Sequence, residues 1–251
     1  MKINQGKEKI QIKKETEKVG AQQISTGKAI IFDSGTLISF TMNGMSETLK
    51  RLKGIFKGKF LITGDVKREI IDVPLKIKRF ELEALKIQAL LDQKILETPQ
   101  SLGIDKSEVN SEEDQVMKTA NSAFNGKGRD IHIVDLGEAS CVALSRILTK
   151  KGIKNVIALD ERTTRLLSER PEGLREIFQH RMNTRINMRK QNTDFFRSLK
   201  FIRSTELAYV AYKKGLLDWK GPDVLDALLY AMKFKGAAIS GDEIKEIERM
   251  K

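Results

Sequence analysis

The sequence predicts an α/β fold in which a short, mostly parallel sheet is flanked by helices, with a helical insertion and a helical C-terminal extension. Three observations carry this expectation. Apolar runs alternate with segments of helical periodicity, the order that builds βαβ units. The runs are nearly continuous rather than alternating, as expected of strands covered on both faces. Three of them, "AIIFD", "IHIVD" and "NVIALD", end in aspartate and pass directly into helical sequence, which puts Asp33, Asp135 and Asp160 at strand ends.

The elements follow in order. Residues 1–27 are polar and Lys-rich and read as a basic arm. "AIIFD" is the first strand. Residues 35–53 read as two short helices around Asn43-Gly44. "KFLITG" is a second strand, and "DVKREIID" a short helix ended by Pro74. Over 76–97 the apolar positions Ile77, Phe80, Leu82, Leu85, Ile87, Leu90, Leu91 and Ile95 suggest one long amphipathic helix. A loop over 98–110, a helix over 111–124 and a turn at "NGKGRD" follow. "IHIVD" reads as a third strand. "GEASCVALSRILTKKG" is a helix stopped by Gly152. After the fourth strand, "NVIALD", come helices "ERTTRLLSER", up to Pro171, and "EGLREIFQHRM". Residues 183–198 are basic and weakly periodic, "KFIRS" is a fifth strand, and three helices complete the chain. This divides it into the arm, a domain over 28–235 with a helical insertion at about 76–126 and a basic segment at about 180–203, and a C-terminal helix within 236–251.

Charge narrows the function. The net charge is +12 and 32% of residues are charged, against an average of about 25%. An excess of that size points to a polyanionic partner, most simply RNA. With one cysteine, Cys141, and two distant histidines, His132 and His180, neither a disulfide framework nor a Cys/His zinc cluster is expected. A reducing cytoplasm suits this composition. No apolar run approaches the 18 or so residues of a membrane span, and the first residues lack a signal-peptide h-region.

Each strand-end acid has two readings. Asp after a strand caps the next helix by accepting its first free N–H groups, and Asp135 and Glu138 have capping-box spacing. Alternatively the acids are metal ligands at the carboxyl edge of a parallel sheet, where α/β folds bind ligands. Clustered carboxylates repel one another, and an oxygen-only set suits Mg²⁺ or Mn²⁺. Glu69 in "VKREI" and Glu138 in "LGEAS" are the glutamates that would join Asp33 and Asp160.

Taken in order, "IIFDSGTLI", "VKREI", "DLGEASCVALS" and "VIALDERTTRLL" resemble the PIN-domain ribonucleases. That resemblance covers about 28–170, and "RSTELAYVAYKKGLL" extends it toward 235. It implies a short parallel sheet between helices and metal-dependent cleavage of RNA. Asp33, Glu69, Glu138 and Asp160 would be the catalytic, metal-holding acids. Asp135 and Glu161 compete with Glu138 and Asp160 for the side facing the metal. The stretch 76–126 is long for a minimal PIN domain.

The basic residues supply the other half of the expectation. Residues 175–203 contain eight Lys or Arg and two acids. Arg181, Arg185 and Arg189 recur every four residues and would share a face of a helix. With Arg162, Lys190 and Arg203 they form the expected RNA-binding set. Phe195, Phe196 and Phe201 either stack bases or pack in the core. Three functions follow. A Mg²⁺- or Mn²⁺-dependent endoribonuclease comes first. A non-catalytic RNA-binding protein on the same scaffold, attached to a larger ribonucleoprotein, is the alternative. An NTP-binding switch lacks its Gly-x₄-Gly-Lys-Ser/Thr loop. "PDVLDALLYAMKFKGAA" is apolar enough for core packing or a homodimer interface.

Overall fold

A computed structural model describes residues 27–250, so nearly all of the expected basic arm lies outside the described residues. The chain begins with β1 (Lys28–Phe32), in which every side chain after Lys28 is buried. Helices α1 (Ser34–Met42) and α2 (Ser46–Phe56) lead to β2 (Lys59–Leu61). A short helix α3 (Gly64–Lys67) runs on through a π-turn (Arg68–Asp72) and a 3₁₀ turn (Pro74–Lys76). Then follow α4 (Glu81–Asp92), α5 (Lys106–Ala120), β3 (Phe124–Gly126), β4 (Arg129–Asp130) and α6 (Leu136–Lys150). The rest is β5 (Lys154–Ala158), α7 (Arg162–Glu169), α8 (Pro171–Met182), β6 (Ile186–Met188) and α9 (Lys190–Asp194). Last come β7 (Phe201–Ile202), α10 (Ser204–Lys213), α11 (Val224–Phe234) and α12 (Gly241–Arg249).

The main sheet has the order β2-β1-β5-β7 and is parallel throughout. Ile31 of β1 pairs with Leu61 on one side and Ile157 on the other. All four strands therefore finish at one edge. The interior strand β1 is covered on both faces, which explains its unbroken apolar run. Phe32 and Phe60 meet edge to face at 5.0 Å in this core. The Cys141 thiol of α6 lies 3.7 Å from the Phe32 carbonyl, so the helix packs directly over β1. The α/β class and parallel sheet thus agree with the sequence.

Several local expectations need correction. "IHIVD" joins no sheet ladder. The Asn121 side chain takes its place: Oδ1 accepts from the Ile133 and Val134 N–H groups at 2.7 and 3.0 Å, and Nδ2 donates to the Val134 carbonyl at 3.2 Å. Ile133 and Val134 are buried, and the Ile131 N–H donates to the carbonyl of Phe124, the first residue of β3, at 2.9 Å. The turn expected at "NGKGRD" is present, as the tip of the β3–β4 hairpin, where Lys127 and Gly128 have φ of 51° and 78°, the turn geometry that suits hairpin twist. This hairpin and β6 form a second, antiparallel sheet, β4-β3-β6. The long helix over 76–97 is only Glu81–Asp92, because Pro74 opens a separate 3₁₀ turn. Its buried face is Ala84, Ile87 and Leu90, while Ile77, Phe80, Leu82 and Leu85 face solvent. Finally, α8 ends at Asn183, which adopts φ 43°, and β6 follows at once. Arg181, Arg185 and Arg189 therefore do not line one helix.

Candidate acidic site

The carboxyl edge of the sheet gathers the expected acids from four separate segments. Asp33 directly follows β1, and its N–H donates to the Ala158 carbonyl of β5 at 3.0 Å. That bond holds the ends of β1 and β5 together, and with them Asp33 and Asp160. Two residues after β2 comes Thr63, whose hydroxyl oxygen caps α3 by accepting from the Val66 N–H at 3.3 Å. The α3 helix and its π-turn then carry Glu69 back to the same edge. There the Ser34 hydroxyl donates to Glu69 Oε1 at 3.2 Å.

Gly137, in the first turn of α6, closes the group from above. A Cβ at this position would lie 2.9 Å from Glu69 Oε2 and 3.9 Å from Asp33 Oδ1. A side chain here would make the Glu69 carboxylate shift from its present position. One residue later Glu138 accepts from the Asp135 N–H at 3.2 Å and from the Thr164 hydroxyl at 2.9 Å. Asp160 accepts from the Ser204 N–H at 2.8 Å, which joins it to the start of α10.

The capping and ligand readings coexist in these residues. Asp33 Oδ2 does accept from the Gly35 N–H at 3.1 Å, and Glu161 caps α7 by accepting from the Thr164 N–H at 2.6 Å. Asp135 turns outward, exposed, with His132 Nε2 at 2.8 Å from Oδ1. Of each competing pair, Glu138 and Asp160 are the more buried and lie within electrostatic reach of Asp33.

That proximity is visible in the proton affinities. Asp33 is pushed from 3.8 up to about 6, first by burial and then by the charges of Glu69 and Asp160. Glu138 rises to about 7, through burial and then through the Glu161 and Asp33 charges. Asp160 is also raised, mainly by burial. Hard oxygen donors that resist becoming anions together are chemically suited to a divalent cation, which would relieve the repulsion. Geometry supports the match only in part. Asp33 and Glu69 converge beside Gly137, but Glu138 and Asp160 are held by Thr164 and Ser204. Among the described residues, no three carboxylate, histidine or cysteine side chains stand close enough to hold one ion as they are.

Two hollows flank the acids. One, beside Glu69, is lined by Asp65, Arg68, Met117, His132 and Leu136. The other, beside Asp160, is lined by Arg162, Arg165, Leu166, Phe201 and Arg203. Arg165 was not anticipated from the sequence, although it lies one helical turn after Glu161, and its charge reaches Asp160. Arg162 is exposed on this rim.

The remaining arginines divide. Arg181 and Arg185 are exposed, as is Lys190. Two members of the expected RNA-binding set are instead engaged within the fold. Arg189 Nη1 lies 2.8 Å from Asp130 and donates to the Ser122 carbonyl, tying β6 to the hairpin. Arg203 is only 14% exposed and pairs with Glu206 at 3.1 Å and Glu243 at 2.6 Å, which anchors α12. Of the three phenylalanines, Phe196 is a core residue. Phe195 stacks under the Arg146 guanidinium at 3.5 Å, and Phe201 is half-buried at the rim of the second hollow.

No helix among the described residues is long and apolar enough to cross a membrane. Compared with protein-family models, curated proteins and solved structures, the chain matches none of them.

Proposed function

We propose that the protein is a metal-dependent endoribonuclease of the PIN type that works in a reducing cytoplasm. One observation carries the reading: carboxylates from four chain-distant segments lie along the carboxyl edge of a parallel sheet, where burial, with neighbouring charges adding to it, holds Asp33 and Glu138 well above their ordinary values. Structural caps do not require such crowding; a cation site does. Asp33 and Glu69 would hold a Mg²⁺ or Mn²⁺ ion, with Glu138 and Asp160 completing the set. When bound, the ion supplies charge neutralisation at the scissile phosphate and a more acidic water. The chain's own residues do the rest. Arg162 and Arg165 attract the phosphodiester to the rim. Ser34 fixes the Glu69 carboxylate by its hydroxyl, and Thr164 does the same for Glu138. The two hollows offer the strand a path on either side of the acids. The +12 charge draws RNA to the surface.

A non-catalytic RNA-binding protein on the same scaffold is favoured by one observation, the use of Glu138 and Glu161 as hydrogen-bond acceptors at helix starts. Cleavage of single-stranded RNA by nuclease-free protein separates the readings. Activity with Mg²⁺ or Mn²⁺ and its loss in EDTA is the expected result. Equal cleavage in EDTA would sink the metal-dependent reading, and RNA binding with no cleavage under any metal would favour the second.

A further inference from the structure

We propose that Trp219 and Phe234 form a stacking platform for single-stranded RNA, placed at the far end of α1 from the acids. Phe234 is 82% exposed, more than any other large apolar side chain among the described residues, and Trp219 is 47% exposed. Packing does not account for them, since α11 buries Leu225, Leu228, Leu229 and Met232 instead. Trp219 and the residue after Phe234 both reach the turn between α1 and α2. A Cβ on Gly44 would lie 3.9 Å from Trp219 Cη2, and Lys235, next to Phe234, donates its Nζ to the Met42 carbonyl. Tyr230 stacks behind Phe234 at 6.2 Å with rings 30° apart.

Lysines flank these rings in the chain. Lys220 and Lys235 are exposed, and Lys233 Nζ lies 5.7 Å from the Tyr230 ring. Of the nearby acids, Asp218 is paired with Arg51 at 2.5 Å, and Asp223 and Asp226 sit at the opposite end of α11 from Phe234, with Asp223 four residues from Trp219. Protein-docking faces are contiguous and apolar at their centres. Rings separated by ammonium groups match a strand of bases and phosphates instead. Helix α1 links this turn to the acids: it starts on Asp33 and ends at Met42, nine residues or about 13 Å away. A strand of a few nucleotides spans that distance. The choice of RNA as ligand rests on the proposed function.

Trp219 is the only tryptophan, so its emission reports the platform directly. The full chain is titrated with oligouridylate in EDTA, and binding is measured in parallel by anisotropy of a labelled oligonucleotide. We expect saturable quenching with the same midpoint as the anisotropy. Trp219→Ala and Phe234→Ala should each weaken binding roughly tenfold without lowering the melting temperature, and Trp219→Phe should keep most of the affinity. Unchanged emission during binding, full affinity in both alanine variants, or no binding by the parent protein would each overturn the proposal. So would a dimer that the alanine variants dissociate while oligonucleotide affinity holds. Quenching without cleavage in Mn²⁺ would defeat the nuclease reading alone, and cleavage without quenching would defeat the platform alone.

Discussion

At the scale of single residues, Asp33 is both a helix cap and a member of a crowded acid group, and a substitution can separate these roles. Asn caps a helix about as well as Asp. Asp33→Asn should therefore fold normally and, without metal, be as stable as the parent or more so, because one buried, repelled charge is gone. It should lose most of the melting-temperature gain on adding Mn²⁺, since that gain measures binding to the native state, and cleavage should fall steeply while RNA binding persists. Equal Mn²⁺ stabilisation and cleavage in both proteins would reduce Asp33 to a cap. Gly137 offers an independent check. Ala is the better helix former by about 1 kcal/mol, yet its Cβ would lie 2.9 Å from Glu69 Oε2. Gly137→Ala should thus cost little metal-free stability but sharply reduce Mn²⁺ stabilisation. An unaffected Mn²⁺ response would mean that Glu69 does not need its present position.

At the scale of elements, legibility followed how local the signal was. β1 and β5 could be read because a buried strand leaves an unbroken apolar run, and Asp33 and Asp160 because they end those runs. Helix α6 declared both ends, with Asp135 before it and Gly152 after it. "IHIVD" reads as a strand because Ile133 and Val134 are apolar and buried, but their partner is one side-chain amide, Asn121, 12 and 13 residues upstream, and no periodicity encodes that. The arginine row looked helical because its spacing was right, while a single left-handed residue, Asn183, turns the chain into β6. This sorting predicts different behaviour within the row. Neutralising Arg181 and Arg185 together should leave the melting temperature unchanged and weaken RNA binding with a shallower salt slope, because fewer counterions are released. Arg189→Ala should instead lower the melting temperature, as it unties β6 from the hairpin. An unchanged salt slope in the double variant would remove this segment from the RNA surface.

At the scale of the whole molecule, two populations of carboxylates set opposite pH dependences. Against the opposing effect of burial, Lys59 and Lys53 hold Glu97 below its ordinary value, and Lys150 and Arg146 do the same for Glu112. Glu243 falls to about 2, where the Ser240 N–H and Arg203 outweigh burial. These three stabilise the fold above the ordinary carboxylate range, and that stability is lost as pH falls through their folded values. Asp33, Glu113 and Glu138 act the other way. Burial is the largest cause for each, and Asp65 adds to it for Glu113, which reaches about 7. Their native forms hold protons that the unfolded chain releases near pH 4, so the fold loses stability as pH rises from there to about 7. For Asp33 alone, 94% buried and raised from 3.8 to about 6, the loss is of the order of 3 kcal/mol. Metal-free protein should therefore be most stable between about pH 4 and 4.5 and clearly weaker at pH 7.5, by melting temperature in EDTA. Mn²⁺ at pH 7.5 should recover much of the difference, because a cation favours the ionised acids. Asp33→Asn combined with Glu138→Gln should flatten the curve above pH 5 and abolish the recovery. A flat curve in the parent protein would mean that Asp33 and Glu138 are not held protonated at the sheet edge, and the case for a cation beside them would go with it.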